Sequence, residues 1–202
     1  MYTSFYKLVE RPFQISTDPR FLWLGAKHRE ALAILKYGVL DEKGFLLMTG
    51  DVGTGKTTLI NALLEGLDDD VLVANVADPN LDLVGFLNLI ARSFLIPQRF
   101  VRKEEFLFYF KDFLQKTWAE NKRVLLVIDE AHKLSQELLE QIRLLSNIEL
   151  PEKKLINIFF VGQNELNQTL MSGDCRALRQ RITLNYNIRP LSENETLQYI
   201  NH

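Results

Sequence analysis

A three-layer α/β fold, with a five-stranded, mostly parallel sheet covered by helices on both faces, is what the sequence predicts, and three observations carry it. Short apolar runs of strand length alternate with longer runs of helical period. The short runs are continuously apolar rather than alternating, as expected of strands buried on both sides. Helical segments separate them, so successive strands must be joined by crossovers and pair in parallel.

Taken in order, a helix over 28–39 places Ala31, Ile34, Leu35 and Val39 on one face. A strand over 45–49 follows, and a helix over 57–67 leaves the Gly-rich turn after it. Asp68, Asp69 and Asp70 read as a solvated turn before a strand over 71–76, not as a metal site. Helices over 81–96 and 104–120 come next. The second stacks Phe106, Phe110, Phe113, Leu114 and Trp118, an aromatic stripe read as core packing rather than as a partner-binding face. After a strand over 124–128, Ser135 is the expected N-cap of a helix over 135–148 that buries Leu138, Leu139, Ile142 and Leu145. Strands over 156–161 and 182–188 complete the sheet.

Composition excludes several classes. At 202 residues, 47% hydrophobic and 25% charged, the chain is neither disordered nor collagenous. A chain of this length can bury roughly 70% of its unfolded surface without staples. Cys175 is the only cysteine, which rules out an internal disulfide or a Cys-rich metal site and suits a reducing compartment. With 24 basic against 26 acidic side chains, coating DNA or anionic lipid is not the expected main task. The apolar runs fall far short of the ~20 residues a bilayer crossing needs, and no signal peptide is visible.

The chemistry begins at Gly50, Asp51, Val52, Gly53, Thr54, Gly55, Lys56 and Thr57, which match the G-x-x-x-x-G-K-[ST] phosphate-binding loop. An apolar strand enters it and a helix leaves it, as the mechanism requires. Glycines let the backbone turn its N–H groups inward, and the helix N-terminus adds partial positive charge. Lys56 is then expected at the β- and γ-phosphates of ATP, the Thr57 hydroxyl on Mg²⁺, and Thr58 near the α-phosphate.

The strand over 124–128 ends in Asp129 and Glu130. Beside a phosphate loop, Asp129 is expected to hold Mg²⁺ through its water shell, as a Walker B acid, and Glu130 to polarise the attacking water. Another strand lies between loop and acid pair in sequence, so the two need not be neighbours in the sheet. That spacing suits the phosphate-loop ATPases with an additional strand and a catalytic glutamate, with strand order 5-1-4-3-2. Asp129-Glu-Ala-His132 also spells the DEAH box of helicases, but those need a second RecA-like domain for which the chain has no length. His132 is read instead as a helix-start or interface residue.

Around the γ-phosphate, Gln163 is the expected sensor 1 residue, with Asn164 as the neighbouring alternative. Asn75, in the second strand, is a candidate to hold Glu130 inactive until a partner binds. Arg176, Arg179 and Arg181 cluster before the last strand. The default for such a group is a solvated face. Here Arg181, then Arg179, is the candidate finger that reaches a neighbouring subunit's γ-phosphate, which implies a homo-oligomer.

These residues together resemble AAA+ ATPases of the general secretion pathway protein A type, with pilus-biogenesis and exosortase-associated relatives. The likeness spans Phe5-Tyr-Lys-Leu8, the block from Pro12 to Phe21, His28-Arg-Glu-Ala31, the loop through Leu59, Val161-Gly-Gln-Asn-Glu-Leu166 and Leu178-Arg-Gln-Arg-Ile182. Asn164 stands where the family carries Pro. The resemblance implies an AAA+/RecA-like phosphate-loop NTPase base over 1–190, with residues 1–30 as an N-terminal segment and 21–29 bordering the adenine. It implies a cytoplasmic ATPase, assembled as a homo-oligomeric ring such as a hexamer when nucleotide-bound. Turnover would be coupled to building a secretion or pilus machine of the cell envelope. Secretion-type members add a downstream membrane span, through which the full-length protein is anchored in the inner membrane, and a periplasmic peptidoglycan-binding part.

Two other function classes compete. Transposition-helper ATPases of the MuB, TnsC and TniB kind are similar in their core but bind DNA, against which the acidic balance and the lack of a basic tail argue. A nucleotide-gated switch that scarcely hydrolyses ATP is disfavoured by Glu130. Finally, Ser192-Glu-Asn-Glu195 is a capping box opening a helix with Leu197 and Ile200 as its first apolar positions. That helix is expected to begin a lid over 191–202 whose greater part, with any sensor 2 arginine, lies outside the chain.

Overall fold

The computed structural model describes residues 5, 23–151 and 153–201. The resemblance-bearing stretches at 6–22 lie outside them. Five strands form one sheet: β1 (Phe45–Gly50), β2 (Val71–Val76), β3 (Arg123–Ile128), β6 (Asn157–Gly162) and β7 (Ile182–Ile188). Their spatial order is β2-β3-β6-β1-β7, and all four pairings are parallel. Counting only these five in chain order, that is the expected 5-1-4-3-2.

Helices α1 (Ala26–Leu40) and α2 (Lys56–Glu65) cover one face. The other carries α3 (Leu83–Ser93), α4 (Lys103–Ala119), α5 (Gln136–Leu145), α6 (Glu165–Met171) and the short α7 (Arg176–Arg179). Alternation along the strands feeds two cores at once. Phe45 and Leu47 of β1 join Leu126 and Phe160 on one side, while Leu46 and Met48 join Leu125, Val127 and Phe159 on the other. This two-sided burial explains the continuous apolar runs. Gly38 lets α1 lie close against β1, since a Cβ there would come within 2.3 Å of Leu46 Cδ2.

β7 departs from that pattern. As an edge strand it leaves Thr183, Asn185 and Asn187 exposed. Its pairing with β1 slips between Phe45 and Leu46, and the Thr183 hydroxyl answers the irregularity by donating to the Lys43 and Phe45 carbonyls at 2.9 and 3.1 Å.

Several boundaries move for local reasons. Asp82 caps α3 by accepting the Gly85 N–H at 2.7 Å, so Leu81 falls outside the helix. Ser135 is the N-cap of α5 as expected, accepting the Leu138 N–H, but the helix stops at Leu145. A small antiparallel pair, β4 (Glu149–Leu150) with β5 (Lys153–Lys154), had no periodic signal. Asp70 of the acidic turn pairs with Arg123, which opens β3.

The aromatic stripe of α4 is core, with Phe106 and Phe110 stacked at 5.0 Å and Phe110 and Phe113 at 5.7 Å. Trp118 is the correction, being 43% exposed while Thr117 takes the buried position. At 3.6 residues per turn, residue 117 returns to within about 20° of Phe106, whereas 118 stands about 120° away.

Candidate nucleotide site

The candidate site lies at the carboxyl ends of the strands, where β1 gives way to the loop 50–55 and then to α2. Gly50 passes so close to β7 that a Cβ would stand 2.6 Å from the Ile188 carbonyl oxygen. Gly55, with φ of 86°, turns the backbone in the left-handed region that favours glycine just before Lys56 starts α2. The Lys56 ammonium is buried within the loop and donates to the Gly50 and Asp51 carbonyls at 2.9 and 2.8 Å. A cation aimed into a ring of backbone groups at a helix N-terminus is a receptor for an anion.

Asp129 follows β3, and its Oδ2 accepts the Thr57 hydroxyl at 3.0 Å while its Oδ1 accepts the Glu130 N–H at 2.8 Å. The predicted metal pair, 72 positions apart, is thus in contact. One carboxylate, one hydroxyl and room for water and phosphate oxygens suit Mg²⁺, which keeps several waters. Among the described residues no cluster of three His, Cys, Asp or Glu side chains forms a protein-only cation cage.

Glu130 adopts φ of 52°, and its side chain lines a cavity of about 300 Å³ with Val52, Gly53, Gly55, Lys56, Thr57, Thr58 and Gln163. The expected base and sensor therefore face the loop across one space. Asn164, the alternative sensor, braces the loop instead, its Nδ2 donating to Asp51 Oδ1 at 2.6 Å.

A second cavity, of about 430 Å³, continues from the other side of the loop. It shares Val52, Gly53, Gly55 and Thr58 with the first and adds Trp23, Leu24 and His28 from the start of the described chain. Pro190, Leu191, Thr196 and Tyr199 close it from the segment after β7 and from α8 (Glu193–Ile200). Trp23 and Tyr199 rings stand 6.3 Å apart, and His28 Nε2 donates to the Thr54 carbonyl at 3.2 Å. Within the adenine-bordering stretch expected at 21–29, Trp23, Leu24 and His28 are wall residues; 21 and 22 lie outside the described ones. The capping box forms, with Ser192 and Glu195 bonded reciprocally. Bonds from the Ser192 backbone, then its hydroxyl, then Lys27 hold the Glu195 carboxyl down to about 2.

Asn75 is exposed on edge strand β2, and among the described residues its side chain makes no hydrogen bond to Glu130. The groups beside that carboxylate are His132 and Lys133. Arg176 and Arg179 are exposed on α7. Arg181 precedes Ile182, which pairs with Phe45 at the start of β1, so it sits at the end of the sheet away from its own loop. Its Nη1 donates to Asn147 Oδ1 at 2.6 Å and Ser146 Oγ at 3.0 Å.

Sequence reasoning missed the polar brace beneath the loop. Fully buried Thr49 Oγ1 accepts from Asn167 Nδ2 at 3.0 Å and Asn187 Nδ2 at 2.9 Å, and Asn187 also donates to Asn164 Oδ1 at 2.7 Å. The available signal was a lone threonine closing an apolar run.

A family model described as "AAA domain" matches residues 39–170. The chain is 41% identical over 201 residues to General secretion pathway protein A of Aeromonas hydrophila, covering 99% of this chain and 37% of that protein. Among solved structures, Aeropyrum pernix ORC2 in its ADPNP-ADP complexes superposes with a TM-score of 0.69 at 22% identity, over 95% of this chain and 54% of that one. Cdc6p of Pyrobaculum aerophilum gives 0.64 at 19%, over 93% and 53%. At those identities the two structures establish the shared fold.

Proposed function

The chain belongs to the AAA domain family, and on that premise we propose that it binds Mg²⁺·ATP, hydrolyses it to ADP and phosphate, and couples turnover to assembly of a cell-envelope secretion or pilus machine. The observation that carries the enzymatic part is a single cavity lined by Lys56, Thr57, Glu130 and Gln163, with Thr57 bonded to Asp129.

The loop and Lys56 receive the phosphates, and Trp23, His28 and Tyr199 border the base. Thr57 Oγ1, and Asp129 through water, would hold Mg²⁺, which when bound would supply positive charge to the phosphates. Glu130 takes a proton from the water that attacks the γ-phosphorus, and the bond from that phosphorus to the bridging oxygen breaks to release ADP. Gln163 orients the water. Arg181, which lies away from its own loop, or the exposed Arg179 completes a neighbouring copy's site in a homo-oligomer.

The envelope role rests on the likeness to General secretion pathway protein A, of which the chain spans 37%. Lys56→Ala is expected to abolish ATP binding, and Glu130→Gln to keep binding while kcat falls about 100-fold or more. Normal hydrolysis by Glu130→Gln removes the catalytic assignment. For the trans arginine, mixing Arg181→Ala with Lys56→Ala protein is expected to restore activity; no recovery at any ratio sinks it. For the pathway, this chain grafted in place of the matching region of the Aeromonas protein is expected to restore secretion to a strain lacking it, and its Lys56→Ala form is not. A gel shift on duplex DNA at physiological salt separates the transposition-helper class.

A further inference from the structure

The Glu130 carboxylate has a neighbour that the hydrolytic reading does not use. His132 lies in the 3₁₀ turn Ala131–Lys133, its side chain only 15% exposed. The ring has two partners. Nδ1 accepts the Gln163 backbone N–H at 3.3 Å, and Nε2 stands 3.6 Å from Glu130 Oε2. The first contact defines the tautomer of the neutral ring: a nitrogen that accepts an N–H carries no proton, so the ring proton resides on Nε2, the nitrogen 3.6 Å from the carboxylate.

The sheet itself cannot supply this connection. The β3–β6 ladder pairs Leu125 through Ile128 with Asn157 through Phe160 and ends before Glu130 and Gln163. Glu130 is moreover in a left-handed backbone conformation that needs support from its surroundings. Gly162 makes room for the turn, since a Cβ there would lie 3.1 Å from the His132 backbone nitrogen. Lys133 also approaches Glu130, at 3.8 Å, but it is 41% exposed and shared with Asp78 at 3.6 Å. Solvent weakens that contact and leaves the geometry to the histidine.

We propose that His132 is a positioning residue that couples the Glu130 carboxylate to the sensor strand at Gln163, so that base and sensor approach the γ-phosphate in one fixed register. The inference rests on Glu130 being the water-activating base. Its consequence is a loss of turnover without a loss of nucleotide affinity when the link is cut.

The test compares His132→Ala, His132→Asn and His132→Gln in the full 202-residue chain. Asn keeps an acceptor near the Nδ1 position, and Gln keeps a donor near Nε2. The alanine variant is expected to lose about tenfold to a hundredfold in kcat, the effect typical of a group that orients a reacting one from behind. Its KM, and its affinity for a fluorescent ATP analogue, are expected to stay within about threefold. Each conservative variant recovers part of the loss. Unchanged kcat in the alanine variant overturns the proposal, as does a loss that tracks its unfolded fraction at the assay temperature. Ring ¹⁵N NMR of the wild type gives a readout independent of turnover. The Nε2-protonated tautomer is expected, and the Nδ1-protonated one overturns the link. Glu130→Gln is the reference. If it hydrolyses ATP normally, the assignment of Glu130 as the base fails and the tautomer still reports on the link; if it is inactive while His132→Ala is fully active, only the link fails.

Discussion

The cavity proposed for the phosphates and the one proposed for the base share Val52, Gly53, Gly55 and Thr58, and beyond that common wall they are built differently. The phosphate side rests on the ends of three adjacent strands, β3, β6 and β1, each buried on both faces. Its groups are held by short hydrogen bonds among Thr57, Asp129, Lys56 and the loop carbonyls. The base side closes on α8, a helix with no buried residue that opens on a capping box and is tied down by the 3.4 Å Lys27–Glu195 pair and the Trp23–Tyr199 contact. On the proposed function, preorganisation is concentrated where charge would be stabilised, while the base would be enclosed by an element with few buried contacts to hold it closed.

That contrast can be broken from either side. The largest effect is expected at Lys56→Ala, which removes the buried cation and with it detectable ATP binding, read by equilibrium binding of the fluorescent analogue. Thr49→Val strikes the brace beneath the loop and strips two asparagine amides of a common acceptor, at a cost of about 1–3 kcal/mol in urea unfolding with m unchanged. Tyr199→Ala touches only the base side. Losing one aromatic wall worth about 0.5–1.5 kcal/mol is expected to raise the Kd for ATP about 2- to 10-fold and leave kcat unaltered. A kcat loss equal to that of Glu130→Gln would show that the two cavities are not separable.

The smallest effect is acid loosening of α8. Glu195 is held near 2 in the fold against an ordinary value of about 4.3, so its support of the helix is complete above the ordinary value and is lost as pH falls toward 2. Trp23 fluorescence in a Trp118→Phe background should change across that window and lose the transition in Glu195→Gln.

The phosphate loop and the acid pair were legible because each depends on neighbours in sequence, and the strand order came with the class of phosphate-loop ATPases those motifs suit. Gly53 and Gly55 take the positive φ that the turn of the loop requires, and Asp129 and Glu130 inherit their place from the apolar run that delivers them. Trp118 was misplaced because an i, i+4 count drifts around a 3.6-residue helix. Asn75 was expected beside Glu130, yet the side chains the fold brings there are His132 and Lys133. His132 was legible as part of a helical turn, but its bond to Gln163 spans 31 positions and has no local signature. The Thr49–Asn187 bond spans 138 positions and the Thr49–Asn167 bond 118, so the brace was equally hidden.

By itself, then, the sequence determined the alternation of strand and helix, the two cores, the Gly-rich loop and the acid pair that follows β3. These follow from periodicity, glycine conformational freedom and short-range hydrogen bonding. Only the tertiary structure decided which other side chains from distant elements meet: Thr49 with Asn187, His132 with Gln163, Trp23 with Tyr199. Those meetings depend on the parallel register of β1, β3 and β6 and on where each following turn directs its side chains, which long-range packing sets and no local window of sequence contains.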